Sequence, residues 1–438
     1  MSTELYQNNI EILSKLYPEL AEAIELHDIS HLNFEVVERQ VATIAINGIQ
    51  LSSAYDPVEE ALAYRSQTSS GTYHMWGFGI GSVAEILLND KNLKKLHIYI
   101  YNLDVIKLVL TLMPKLWLVD ERVELHYVHN DMPEKTNVLN KLFTKDTFII
   151  NADLHLANYN RVNLNWLVHR IENRLVTIAV SRTHTNDQAK EKQNKIDEEN
   201  YPVLRVTPVI DHLIENNQFK DVLCIGAGPS LDSHINDVIS LFKKKNRPLF
   251  MAPSTALNAL IKHGITPDIL AVIDPVVKAE DIPFEKLKNT TFVGGSRAQK
   301  SIWEQWKGRK YYFHLIDETF DELNKKLPSK YRLNIFGSVI HPMTNLAILL
   351  GAKTIRFIGC DFGFPGEVQH ASTQDHYKID MSVNIENGYG ELIKSSPTYR
   401  MFCSGIENII AQRPDINFIN MSRLGAKIIG ARYEDEVN

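Results

Sequence analysis

The chain has 438 residues, 44% of them hydrophobic and 23% charged, with a net charge of −6, which is the profile of a globular protein large enough for two or three domains. So mild an acidity gives no ground for non-specific nucleic-acid binding or a polybasic membrane tether. Three cysteines, Cys224, Cys360 and Cys403, are too few, too scattered and wrongly spaced for a disulfide framework or a zinc ribbon, and they fit a reducing cytoplasm.

The start, MSTELYQNNIEILSKLYPEL, reads as a polar amphipathic helix over about residues 8–26 rather than a signal sequence, and no apolar run is long enough to span a membrane. NFEVVERQVATIAINGIQLSS then alternates as strands with a turn at Asn47-Gly48, completing a helix-and-hairpin lobe over 1–60. From Thr72 the pattern becomes strand, glycine turn (Gly77, Gly79, Gly81) and helix, followed by the strands LHIYIYN, VELHYVH and DTFIINA. A small Rossmann-like α/β domain over 61–180 is expected. Its GFGIG turn is a short pattern, and the next strand ends in Tyr101-Asn102-Leu103 without the acidic residue that grips a ribose, so a scaffold role is expected. A polar, helix-forming stretch supplies a connector over 181–215.

After the connector, strands near 221–225, 247–252, 269–273, 291–294, 311–315 and 354–358 alternate with helices such as Ser254–His263 and Met343–Leu350, the signature of a doubly wound sheet over 216–438. DVLCIGAGPSLD delivers a loop with Gly226, Gly228, Pro229 and Ser230 to the end of the first of these strands. It lacks the third glycine of a dinucleotide fingerprint and the Lys-Ser or Lys-Thr of a P-loop. A tight structural turn would use the same glycines. Other strands, however, end at Asp274-Pro275, at Gly294-Gly295-Ser296 and at Gly359-Cys360-Asp361, and ligands of open α/β sheets bind outside such carboxyl ends. Gly337 and Ser338 open a helix whose N-terminus would favour an anion, or which the serine simply caps. The polar loop GEVQHASTQDHYKID follows Asp361 and offers His370 and His376 as general bases.

IGAGPSLD, GITPDILAVIDP, FGSV, GAKTIRFIGCDFGF, QHAS and the late NGYG, GIENIIA and FINMSRLGAKIIGA segments, with the earlier YDPVEEA, are similar in order to the motility accessory factor (Maf) family of bacterial glycosyltransferases. The resemblance covers about residues 50–432. It implies a cytoplasmic enzyme that moves a nonulosonic acid, pseudaminic or legionaminic, from a CMP-sugar to serine or threonine of flagellin or another protein acceptor, supporting flagellum assembly and motility. The central domain of that family also resembles bacterial sialyltransferases. That likeness implies that Gly226, Gly228, Pro229 and Ser230 approach the CMP phosphate and ribose, that Asp274, Gly337 and Ser338 line the same crevice, and that Asp361 lies beside the donor. Gly295 and Ser296 join them as donor-binding candidates on the strand-end reading. Sialyltransferases follow their Asp-Phe pair with a tyrosine that assists the departing phosphate, whereas Gly363 and Phe364 follow here. Phosphate stabilisation must then come from the helix N-terminus at Ser338 or a basic side chain such as Arg297. Longer members carry a further C-terminal helical region that this sequence, stopping soon after Gly430, is expected to lack.

The transfer needs no metal, although Mg²⁺ is compatible with it, and His370 is expected to take the acceptor's proton, with His376 next. The central domain is also similar to archaeal pterin diphosphokinases, which would need ATP and Mg²⁺, with Asp274 and Asp361 available as ligands. A third reading is a non-catalytic module binding a nucleotide-sugar or flagellin.

Overall fold

The computed structural model describes residues 3–65, 71–129, 132, 135–142, 144, 146–157, 164, 167, 168, 170–172, 174, 175, 187–367, 381 and 383–436. The chain divides into two compact units, residues 1–174 and 175–438.

In the first unit the expected single helix is two, Thr3–Leu16 and Pro18–Leu26. Tyr17, which precedes the proline, has φ −140° and ψ 66°, and Pro18 starts the second helix where its missing N–H costs nothing. Leu13, Leu20 and Ile24 enter the unit's core, and the Asn9 side chain donates to the Leu110 and Met113 carbonyls (2.7 and 2.8 Å). Strands β1 (Phe34–Glu38), β2 (Ala42–Ile46) and β3 (Ile49–Gln50) form an antiparallel meander. Asn47 and Gly48, with φ +52° and +80°, make its two-residue turn, because a right-twisted hairpin needs both central residues left-handed. The next strands, β4 (Thr72–Trp76), β5 (Lys95–Ile100), β6 (Val123–Tyr127) and β7 (Thr147–Ile149), are parallel in the order β6-β5-β4-β7.

The second unit opens with the expected long helix, Asp187–Leu204. Its sheet comprises β8 (Asp221–Ile225), β9 (Leu249–Pro253), β10 (Ile269–Val272), β11 (Thr291–Gly295), β12 (Lys310–Phe313), β13 (Thr354–Ile358), β16 (Asn417–Asn420) and β17 (Arg432–Tyr433). All eight are parallel, in the order β12-β11-β10-β9-β8-β13-β16-β17. Successive residues enter opposite cores: Val222, Cys224 and Met251 pack with the helices Ile340–Leu349 and Pro397–Ala411, whereas Leu223, Ile225 and Phe250 pack with Leu231, Val238 and Leu260. Helices cover both faces, which is why these strands read as continuous apolar runs rather than alternations. A small hairpin, β14 (Val383–Glu386) with β15 (Leu392–Ser395), lies outside the main sheet.

From β8 the chain winds outward through β9 to β12, then returns to the other side of β8 with β13. The strand order therefore reverses between β8 and β13, and a doubly wound sheet opens a crevice at the carboxyl ends of such a pair. All three cysteines are buried, and none is in a disulfide. Among the described residues no helix is long and apolar enough to cross a membrane.

Candidate functional site

A cleft of about 740 Å³, including its open mouth, lies at this reversal. Gly226 and Gly228 line one wall, Gly359 and Asp361 the floor, and Ser338 and Tyr399 face them. The two loops are held by backbone contact: Gly226 N–H donates to the Ile358 carbonyl and Gly228 N–H to the Gly359 carbonyl, each at 2.7 Å. A Cβ on Gly226 would lie 2.2 Å from the Gly359 oxygen, and a Cβ on Gly359 would lie 2.4 Å from the Gly226 oxygen. Glycine is needed here for this approach, and at Gly359 also for its φ of +67°.

Asp361 is enclosed. A Cβ at Gly228 would sit 2.4 Å from its Oδ2, and one at Gly425 would sit 2.6 Å from its Oδ1. Its Oδ2 accepts from the Ser230 N–H at 2.7 Å, while Ser230 Oγ accepts from the Gly359 N–H at 3.2 Å. Burial raises the Asp361 pKa, and the Ser230 hydrogen bonds offset part of that rise. Phe362 follows with φ +46°, costly for an aromatic residue, and is held by the Ser395 hydroxyl donating to its carbonyl at 2.7 Å. Phe364 N–H donates to the Lys394 carbonyl at 2.8 Å, so β15 fixes the loop that leaves Asp361.

The opposite wall depends on His341, which is fully buried. Its Nε2 lies 2.9 Å from the Phe402 carbonyl, and its Nδ1 lies 3.3 Å from the Ser338 N–H. Burial lowers its pKa to about 4, leaving a neutral ring that ties the Ser338 loop to the helix Pro397–Ala411. The helix Ile340–Leu349 directs its N-terminal end, through Ser338, Val339 and Ile340, at the cleft. The N–H groups of a helix's first turn suit an anion, and Val339 and Ile340 bring them to the cleft, whereas in the facing loop the Gly226, Gly228 and Ser230 N–H groups are taken up by the Ile358 and Gly359 carbonyls and Asp361.

The residues expected from the sequence are distributed unevenly. Gly226, Gly228, Ser338 and Asp361 meet in the cleft; Pro229 and Ser230 continue the loop behind it, Ser230 fully buried. Asp274, Gly295, Ser296 and Gly337 are not among the cleft-lining residues. The Asp274 carboxylate accepts from Val276 N–H within its own turn, and Gly295 backs onto Ile273. Ser296 Oγ lies 3.0 Å from His314 Nδ1 in the interior, and Gly337, at φ +87°, lies against Phe402. Arg297 forms a paired bridge to Asp197 (2.8 Å for each nitrogen) and stacks 3.8 Å above the Phe320 ring, so it fastens the long helix to the sheet. His370 and His376 lie outside the described residues. The sequence pattern does not single out Tyr399 or His341, since each sits within an ordinary apolar helical pattern.

In the first unit the glycine turn is filled by its own chain. Asp153 Oδ1 accepts from Phe78 N–H and Oδ2 from Gly79 N–H, both at 2.7 Å, and a Cβ on Gly77 would meet Asp153 at 2.8 Å. The carboxylate takes the place a phosphate would need. Complete burial raises its pKa to about 7.

Residues 198–367 match an MptE-like family. Its description is 6-hydroxymethylpterin diphosphokinase MptE-like, and the matched span runs from the long helix through β13 to the loop after Asp361. Among solved structures, the chain is similar to the Maf glycosyltransferase of Magnetospirillum magneticum AMB-1, with 16% identity and a TM-score of 0.43, covering 100% of this chain and 75% of that one. No residue role follows from so distant a likeness. A comparison with curated proteins returns no match. Both similarities fall on families that the sequence itself resembles.

Proposed function

We propose that the cleft between β8 and β13 binds a CMP-activated nonulosonic acid, and that the protein transfers the sugar to serine or threonine hydroxyls of flagellin. The observation that carries this reading is the convergence of IGAGPS, FGSV and GCDFGF, three of the ordered resembling segments, on one cleft at the strand-order reversal. Among the described lining residues the cleft offers backbone N–H groups, hydroxyls and one enclosed carboxyl, and no lysine or arginine. Such a site suits the single negative charge of a CMP-sugar phosphodiester better than a triphosphate, whose charges nucleotide-triphosphate sites neutralise with Mg²⁺ and lysine. The raised pKa of Asp361 further limits the repulsion a phosphate would meet.

In this reading the N-terminus of the helix Ile340–Leu349 holds the phosphate, and the close-packed glycine loop forms the wall against which it lies. The Tyr399 hydroxyl, brought to the cleft by the helix Pro397–Ala411, donates to it as it leaves, the task that a tyrosine nearer the Asp-Phe pair performs in sialyltransferases. The acceptor oxygen bonds to the anomeric carbon as the bond to the CMP oxygen breaks, and His370 takes the acceptor's proton, with His376 the next candidate and Asp361 bordering the donor.

The family match favours a second reading, an ATP-dependent pterin diphosphokinase. Its Mg²⁺ would need Asp274 and Asp361 together, but Asp274 does not line the cleft, and among the described residues no group of three His, Cys, Asp or Glu donors gathers there. The donor set does not fit that ion. Calorimetric titration separates the readings: saturable CMP binding without Mg²⁺ supports the sugar-transfer reading, whereas ATP binding that requires Mg²⁺, with no response to CMP, refutes it. CMP binding with no transfer to any protein would indicate a non-catalytic module.

A further inference from the structure

Strands β5 and β6 assemble a group of side chains that the proposed transfer does not use. Their parallel register pairs His97 with Glu124 and Tyr99 with His126. Because side chains alternate along a strand, Glu124 and His126 share a face of the sheet, and His97 joins them there. His97 Nδ1 lies 3.0 Å from His126 Nε2, and the Glu124 carboxylate straddles the pair, its Oε2 3.6 Å from His97 Nδ1 and its Oε1 3.6 Å from His126 Nε2. Two ligands about 2.05 Å from a tetrahedral ion are roughly 3.3 Å apart, close to the separation of the two nitrogens and to that of each nitrogen from its own nearer Glu124 oxygen.

The two rings are also held in place. His74 stacks on His97 with centroids 4.9 Å apart and planes 9° apart, and Tyr99 stacks on His126 at 4.7 Å and 16°. His74 Nδ1 in turn lies 3.0 Å from the Tyr99 hydroxyl, linking the two supports. All three donor side chains are half-buried, which leaves a path for an ion and a fourth, solvent ligand. Lys95 Nζ competes for the carboxylate, lying 3.7 Å from Glu124 Oε2 on a partly exposed side chain that also donates to the Glu121 carbonyl at 3.3 Å.

We propose that His97 Nδ1, the Glu124 carboxylate and His126 Nε2 form a three-residue site for a divalent transition cation of the zinc class, with a remaining position open to water. Two imidazoles and one carboxylate select such ions over Mg²⁺ or Ca²⁺, which prefer all-oxygen shells. The site belongs to the first unit and stands independently of the sugar-transfer reading.

The test titrates the full chain with Zn²⁺ by calorimetry after chelator dialysis, and with Co²⁺ by visible absorption, for the wild type, His126→Gln and Glu124→Gln. Each variant's fold is checked by circular dichroism. The wild type should bind one equivalent of Zn²⁺ that either folded variant loses or binds at least about tenfold more weakly, together with the Co²⁺ band. No Zn²⁺ binding by the wild type, or equal affinity and stoichiometry in the wild type and a folded variant, overturns the site and leaves a plain imidazole hydrogen bond.

Discussion

Replacing Gly226 with alanine tests the backbone contact that builds the cleft. The new Cβ would lie 2.2 Å from the Gly359 oxygen and 2.7 Å from its carbonyl carbon, both backbone atoms that cannot rotate away. Reaching even 3.0 Å, below which real Cβ contacts essentially never occur, separates the loops by 0.8 Å. The two 2.7 Å hydrogen bonds, from Gly226 to Ile358 and from Gly228 to Gly359, would stretch to the limit of bonding. Losing both costs about 1–3 kcal/mol, and forcing a methyl into the packed contact adds roughly 1–3 kcal/mol. A total of about 2–6 kcal/mol is a large part of the 5–15 kcal/mol that typically holds a domain folded. Gly264→Ala is the control, since Gly264 has φ +72° but nothing within 4 Å of its Cβ position. It should cost only the left-handed backbone term, about 1–2 kcal/mol. Urea denaturation of both variants, with CMP titration alongside, should show the larger loss for Gly226→Ala and at least tenfold weaker CMP binding in that variant alone. Equal urea midpoints and unchanged CMP affinity would refute the reasoning.

Tyr399→Phe should leave CMP binding within about twofold and lower transfer by roughly 10-fold or more, because it removes a donor to the leaving phosphate while keeping the ring that packs on Phe364 at 5.1 Å; an unchanged transfer rate assigns the hydroxyl no part. Arg297→Ala strips the buried bridge to Asp197 and should cost about 3–5 kcal/mol in urea denaturation while sparing CMP affinity; a selective loss of CMP binding would instead place Arg297 at the phosphate. For Asp153, the folded chain keeps the proton up to about pH 7, while an unfolded aspartate releases it near 3.8. The folded state therefore binds more protons in that window, and the carboxyl's contribution lowers stability as pH rises from about 4 to about 7. Asp153→Asn should gain on the wild type across that range in urea midpoint; a pH-independent difference between them would contradict the burial argument.

Much of the architecture is legible in the sequence because buried parallel strands are unbroken apolar runs ended by glycine turns. DVLCI, TFVGG and TIRFI are such runs, and each lies in a strand of the large sheet. β16, β17 and the β14–β15 hairpin are not legible in the sequence pattern. β17 has two residues, and VNIE and LIKS are partly exposed and polar, so local pattern carries little of what places them. The division of the N-terminal helix at Tyr17 follows from Pro18, a signal the amphipathic pattern obscured. At the site, Gly226, Gly228 and Asp361 are visible as strand ends because only chain reversal at a sheet edge calls for them. The same rule also marks Asp274, Gly295 and Ser296. What separates the two sets is strand order: the reversal lies between β8 and β13, and β10 and β11 lie to one side of it. Strand order depends on long-range pairing, which a strand's own residues do not encode. Tyr399 and His341 are missed for a related reason, since their helices reach the cleft only through packing.

The most direct test of the central claim is intact-mass analysis of flagellin incubated with the purified protein and a CMP-nonulosonic acid. Flagellin should gain whole nonulosonic acid residues with the wild type and none with Gly226→Ala. A flagellin mass unchanged by the wild-type protein, across both pseudaminic and legionaminic donors, would contradict the account.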